Sequence, residues 1–137
     1  PGWMMGHAFA GSFEASPQEF VFFHADRMDS KTDRTRAVTD GRFRFVQNNF
    51  LNRPRIYPVD YAESIPMMAD VHALRASGGL MPAQWQLSLA PKPAQEFYVL
   101  ESDPHESQNL AGGPNAAAQL SEMRLRCTEL SQMAASN

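Results

Sequence analysis

Two runs of strand-forming residues flank Asp40-Gly41 in residues 34–47, RTRAVTDGRFRFVQ, and an Asp-Gly pair between such runs is the strongest short-range signal for an antiparallel hairpin. With Asp40 and Gly41 at the centre of a type I′ turn, Thr39 opposes Arg42, Val38 opposes Phe43, Ala37 opposes Arg44 and Arg36 opposes Phe45. Pairing sorts the side chains by face. Val38, Phe43 and Phe45 share one face with Arg36, while Ala37, Thr39, Arg42 and Arg44 share the other. A hairpin this short needs more strands or a helix on its apolar face.

The neighbouring pattern supplies that cover. Residues 19–24, EFVFFH, form a nearly unbroken apolar run of strand length and read as a strand buried on both faces beside the hairpin. Residues 25–33 read as a polar connection, and residues 48–66, with three prolines and no sustained period, as a long loop. Apolar positions 67, 68, 71 and 74, followed by Gly78-Gly79, predict an amphipathic helix over 67–77 with a glycine C-cap. A second short helix carrying Trp85 is expected within 80–90 and a strand over 97–100. Asp103, Pro104 and Glu106 are spaced as an N-cap, first helical residue and capping-box acid. A last helix over 116–133 sets Leu120, Met123, Cys127 and Leu130 on one face. The sum is an α+β fold: a small antiparallel sheet of about four strands with packed helices, from residue 19 onward. Residues 1–18 are small and Gly-rich, with Trp3, Phe9 and Phe13 as anchors, and read as a connector.

With 137 residues, 43% of them hydrophobic, the chain has the size of one ordinary domain and needs no disulfide staple. Its one cysteine excludes an internal disulfide framework and leaves the compartment open: periplasmic, extracellular and cytoplasmic locations all tolerate a single thiol. No apolar run approaches a membrane span. A formal charge of −3 hides an uneven distribution, because residues 24–55 hold eight of the twelve basic residues and four of the fifteen acids. This basic block suits either an anionic ligand or a solvated strand face. The acidic remainder argues against general nucleic-acid binding.

The candidates for chemistry are few. Asp26, Asp29 and Asp33 near His24 lack the glycine and glutamate of a calcium loop and read as structural. His7, His24, His72 and His105 are scattered, and no phosphate-cradling glycine loop, G-x-S-x-G or H-E-x-x-H is present. Cys127 has nothing close in sequence that would lower its pKa and reads as a packed thiol. In the 48–66 loop, Asn48, Asn49, Asn52, Arg53, Arg55, Tyr57 and Tyr61 combine rings with forked donors, as a polyhydroxylated anion requires; an ordinary surface loop is the plain alternative.

Two segments carry a resemblance. Residues 96–111, EFYVLESDPHESQNLA, are similar to the E-L-Y-D-L-x-x-D-P-x-E-x-x-N-L-A stretch near the end of sulfatases. Residues 26–50, DRMDSKTDRTRAVTDGRFRFVQNNF, resemble the D-R-M-D, R-A-V-R-D and Y-K-Y-I-x-N segment of the same enzymes, and GHAFAG at 6–11 and APKPAQE at 90–96 fit as well. Val99 stands where the family has Asp, Thr39 where it has Arg, and Gln47 where it has Arg or Lys. The resemblance covers nearly the whole chain and points to the C-terminal region of bacterial sulfatases similar to N-sulfoglucosamine sulfohydrolase. It implies the smaller C-terminal subdomain of an alkaline-phosphatase-like fold, with residues 1–18 leading from an N-terminal catalytic domain.

Family chemistry uses a Cys or Ser in [CS]-x-P-x-R, converted to formylglycine, beside a calcium ion held by carboxylates. Ser64 and Ser102 begin S-x-P triplets followed by Met68 and Glu106 where Arg is required, and Cys127 is followed by Glu129 where Pro is required. No catalytic or metal-binding residue is therefore carried over, and no cofactor is expected in this chain; calcium and formylglycine belong to the intact family enzyme. What the resemblance implies here is substrate contact by Arg27, Arg36, Arg53, Arg55 and Tyr57, with the catalytic domain and a sulfated saccharide as partners, and no nucleic acid or membrane. The alternative is a stand-alone carbohydrate- or protein-interaction module with this fold.

Overall fold

A computed structural model describes residues 6–88 and 91–136. Trp3, and the end of the helix expected within 80–90, lie outside them. The elements in order are β1 (Val21–Met28), β2 (Lys31–Thr39), β3 (Phe43–Asn48), α1 (Asp60–Glu63), α2 (Met67–Ser77), α3 (Pro82–Ser88), β4 (Gln95–Val99) and, after a 3-10 turn, α4 (Ala117–Ser136). The four strands form one sheet in the order β1-β2-β3-β4, so the α+β expectation holds. No helix among the described residues is long and apolar enough to cross a membrane.

The chain divides into two compact units. The first takes the described residues of Pro1–His24, Arg36–Gln47 and Gln95–Asn137, the second Ala25–Thr35 and Asn48–Ala94. Burial of apolar side chains makes the first. Phe45 lies directly opposite Phe97 across β3 and β4, and both join Val38, Ala116, Leu120, Met123 and Cys127 in a buried cluster. Leu120, Met123 and Cys127 recur at helical spacing and lay one stripe of α4 into this core. Phe43 stacks on Phe97 with centroids 5.5 Å apart. The expected apolar face of the hairpin is therefore the core face of the sheet. Burial raises the pKa of the Cys127 thiol, with the Ser131 hydroxyl and then the positive charge of Arg36 acting weakly against it; this is the packed thiol that the sequence suggests.

The turn differs in detail from the expected one. Gly41 has φ +88°, a region that suits glycine, but residues 40–42 all separate the strands. The Asp40 carboxylate accepts the N–H groups of Arg42 (2.9 Å) and Phe43 (2.7 Å), so a side chain builds the turn. At the far end Asn49 N–H donates to the Arg34 carbonyl at 3.0 Å, where the tight turn predicts Gln47 opposite Arg34. A displacement of two residues keeps every side chain on its face, which is why the face assignment survives.

Three other expectations are corrected. The run 19–24 is not a doubly buried strand: β1 lies at the sheet edge, with Val21 and Phe23 exposed, and it continues through the segment read as a polar connection. Asp29, at φ +52°, turns the chain there into β2. The expected capping box forms no helix. Asp103 instead accepts the N–H groups of Ser107 (3.0 Å) and Gln108 (2.8 Å), while Glu106 adopts φ +53° and pairs with Arg44. An ion-pair partner 62 residues away is outside the reach of local spacing. Lastly, α2 has the expected bounds and its left-handed Gly78 cap, yet buries no residue.

The end of the 96–111 segment shields the sheet. Asn109 accepts the Phe97 N–H with its side-chain oxygen (3.0 Å) and donates to the Gln95 carbonyl (3.1 Å), and Leu110 N–H donates to the Phe97 carbonyl at 2.9 Å. These bonds satisfy the outer edge of β4 much as another strand would. This part of the 96–111 segment thus serves the fold.

Candidate functional site

The second unit is organised around polar groups. Asn48, buried at the end of β3, donates through its side chain to the Pro93 carbonyl (2.9 Å) and accepts from the Thr35 hydroxyl (3.2 Å). Its N–H donates to the Ala94 carbonyl at 2.9 Å. Two prolines flank Lys92, so its own N–H is the one backbone donor of that triplet, and it donates to the Arg53 carbonyl at 3.2 Å. The Lys92 side chain, 3% exposed, bonds both oxygens of the Asp33 carboxylate, 13% exposed. A buried ammonium needs such a partner. The long loop is in this way tied to the start of β2 and to the segment before β4, and the short α1 interrupts it.

On this frame the Arg53 guanidinium donates to the Thr32 carbonyl. It lies 5.3 Å from the Phe50 ring centroid and 5.9 Å from that of Tyr57. The Lys92 ammonium is also 5.9 Å from the Tyr57 ring centroid, so two cations lie within cation–π distance of one aromatic ring. Burial raises the Tyr57 pKa, the Asp33 carboxylate adds to this and Arg53 opposes it; the phenol therefore stays neutral and can donate a hydrogen bond. Lys31, Asn52, Arg53, Pro54, Tyr57 and Pro58 line a cleft of about 390 Å³. No carboxylate is among them.

Of the five residues expected to contact substrate, the structure brings Arg53 and Tyr57 together here. Arg55 is half-buried on the same loop but does not line the cleft. Arg27 is exposed on β1, where its Nε–H donates to the Asp29 carbonyl at 3.0 Å and braces the β1–β2 turn. Arg36 belongs to the first unit, half-buried on β2. The sequence marks Lys31 only as one member of the basic block, and it does not mark Phe50 or the Lys92–Asp33 pair for ligand contact. The usable signal was the lysine held between two prolines, whose single N–H calls for a specific acceptor.

The cleft offers the Lys31 ammonium, the Asn52 amide and the N–H groups of Arg53 as donors, beside the Tyr57 ring. Among the described residues no group of three or more His, Cys, Asp or Glu is placed to hold a metal ion. Asp26 pairs with Arg34 at 3.3 Å and Asp33 with Lys92, which is the structural role expected of them.

No protein-family model matches the chain. Over 122 residues, 89% of its length, it is 37% identical to an ulvan-active sulfatase of Formosa agariphila. It spans about a fifth of that protein's length, 20%. The chain is thus similar to one part of a sulfatase.

Proposed function

We propose that this chain is the C-terminal part of a sulfuric ester hydrolase, where it supports a catalytic domain and borders the cleft for a sulfated glycan. The observation that carries this reading is the 37% identity running through 89% of the chain while matching only 20% of a sulfatase. The resemblance of residues 26–50 and 96–111 to segments near the end of sulfatases supports a C-terminal position. Of the residues assigned to substrate contact, Arg27, Arg36, Arg53, Arg55 and Tyr57, the grouping of Arg53 with Tyr57 gives the most direct support.

The residues present do not fit the calcium ion or the formylglycine of the family. There is no [CS]-x-P-x-R, and the Asp33 carboxylate, whose charge acts on Tyr57, is held by Lys92. No step of sulfate ester cleavage is therefore assigned to this chain. Its part is to bind and to hold the fold, with nucleophile and metal supplied by the catalytic domain.

The encoding DNA upstream of Pro1 tests the reading: an in-frame C-x-P-S-R or S-x-P-x-R supports it. An open reading frame closed at residue 1 overturns it in favour of a stand-alone interaction module. The purified chain is also expected not to turn over an aryl sulfate, even when co-expressed with a formylglycine-generating enzyme. Turnover abolished by changing one of its own residues would show the catalytic assignment to be wrong.

A further inference from the structure

We propose that the cleft of the second unit is a subsite for an anionic saccharide, with the sugar ring on Tyr57 and its sulfate or carboxylate among Lys31, Asn52 and Arg53. That the anion is carried on a sugar rests on the sulfatase reading; that the cleft takes an anion does not. The anion preference follows from which charges are spent. Asp33 is the acid whose charge acts on Tyr57, and the buried Lys92 ammonium pairs with it. The cleft lining then carries the two cations Lys31 and Arg53 and no acid. The Arg53 fork is held by the Thr32 carbonyl and lies within cation–π distance of the Phe50 and Tyr57 rings. Its orientation is thereby set before a ligand arrives, and less entropy is lost on binding.

Shape gives the second half of the argument. At about 390 Å³ the cleft lies toward the small end of ligand pockets, which run from about 300 to 1,000 Å³. Tyr57 stands between Pro54 and Pro58, two residues with restricted backbones that hold the ring's surroundings firm. An aromatic face with a neutral hydroxyl at its rim suits a sugar, whose ring has an apolar face and a polar edge. A bare anion would use the cations and leave the platform unused.

Calorimetric titration of the full chain with short dextran sulfate fragments, unsulfated dextran fragments of the same length, and sodium sulfate separates these elements. Expected are binding of dextran sulfate, weaker binding of sodium sulfate, and little or none of unsulfated dextran. Lys31→Gln and Arg53→Lys should each weaken dextran sulfate binding about tenfold, the loss that removal of a charge-assisted hydrogen bond brings. Tyr57→Ala should weaken dextran sulfate and leave sodium sulfate unchanged. Lys31 is exposed, so its variant reads binding without disturbing the fold. Arg75→Gln on α2, outside the cleft, should change nothing. If Arg75→Gln weakens binding as much as Arg53→Lys, the attraction is diffuse and the proposal falls. Sodium sulfate binding as tightly as dextran sulfate would overturn the sugar assignment alone. Unchanged affinity in both Lys31→Gln and Arg53→Lys would overturn the site, whatever the upstream DNA shows.

Discussion

Each of the two units holds a cavity of about 390 Å³, and the two linings differ. In the first unit the cavity faces Phe43, Phe97, Val99, Leu110 and Ala116, with Arg42 and Gln119 as its polar members, beside a core in which Val38, Phe45 and Phe97 are at most 1% exposed. The cleft of the second faces Lys31, Asn52, Arg53 and Tyr57, and Val59 is the unit's one buried apolar residue among the described residues. Apolar burial therefore orders the first unit, whereas the second is ordered by directional bonds: Lys92 to Asp33, Arg53 to Thr32, Asn48 to Pro93. Directional bonds position donors well but contribute little net stability apiece, roughly 1 kcal/mol. Binding loops are commonly drawn from the less stable parts of a fold for this reason.

The largest test of this contrast removes the centre of the apolar core. Phe45→Ala should cost ~3–5 kcal/mol, through lost burial and the cavity left behind, and should expose Cys127 to alkylation by iodoacetamide in the native buffer. A melting temperature within a few degrees of the wild type would mean that the core is not what holds the first unit. Next in size is Lys92→Met, which strands the Asp33 carboxylate and should cost about 3 kcal/mol. Amide exchange should quicken in residues 48–59, with that of α4 unchanged. Adding Asp33→Leu should recover most of the loss, since an apolar pair can replace a buried ion pair; no recovery would mean that Asp33 has a second essential partner.

A smaller effect is expected at the hairpin turn. Gly41→Val places a β-branched residue at positive φ and should destabilise by roughly 1 kcal/mol or more, visible as a lower melting temperature. Equal melting temperatures would remove the turn geometry from the list of things that set the fold. Smallest is a local effect of pH. The N–H groups of Ser107 and Gln108 hold the Asp103 pKa below its ordinary value. Its folded-state pKa is depressed, so the contribution to the turn is present above the ordinary aspartate value of about 3.9 and is lost as pH falls through the lower folded value. The amide signals of Ser107 and Gln108 should therefore titrate together below that range, with those of α4 unmoved.

What the sequence determines by itself is whatever short-range geometry decides. The alternation of Val38, Phe43 and Phe45 names a core face, the spacing of Leu120, Met123 and Cys127 names a helix stripe, and Gly41 and Gly78 mark positive φ, because side-chain period and steric freedom are properties of neighbouring residues. The edge position of β1 was not legible in this way, since EFVFFH is as apolar as a central strand and only the order of the finished sheet puts it at the edge. Nor was the fate of Glu106, whose spacing from Asp103 suits a capping box until Arg44 arrives from β3. The cleft is half legible: Arg53 and Tyr57 share a loop, whereas Lys92 and Asp33 lie 59 residues apart. Which charge is left to face a ligand and which is cancelled is decided only when the folded chain brings those two side chains into contact, because an ion pair is defined by distance in space.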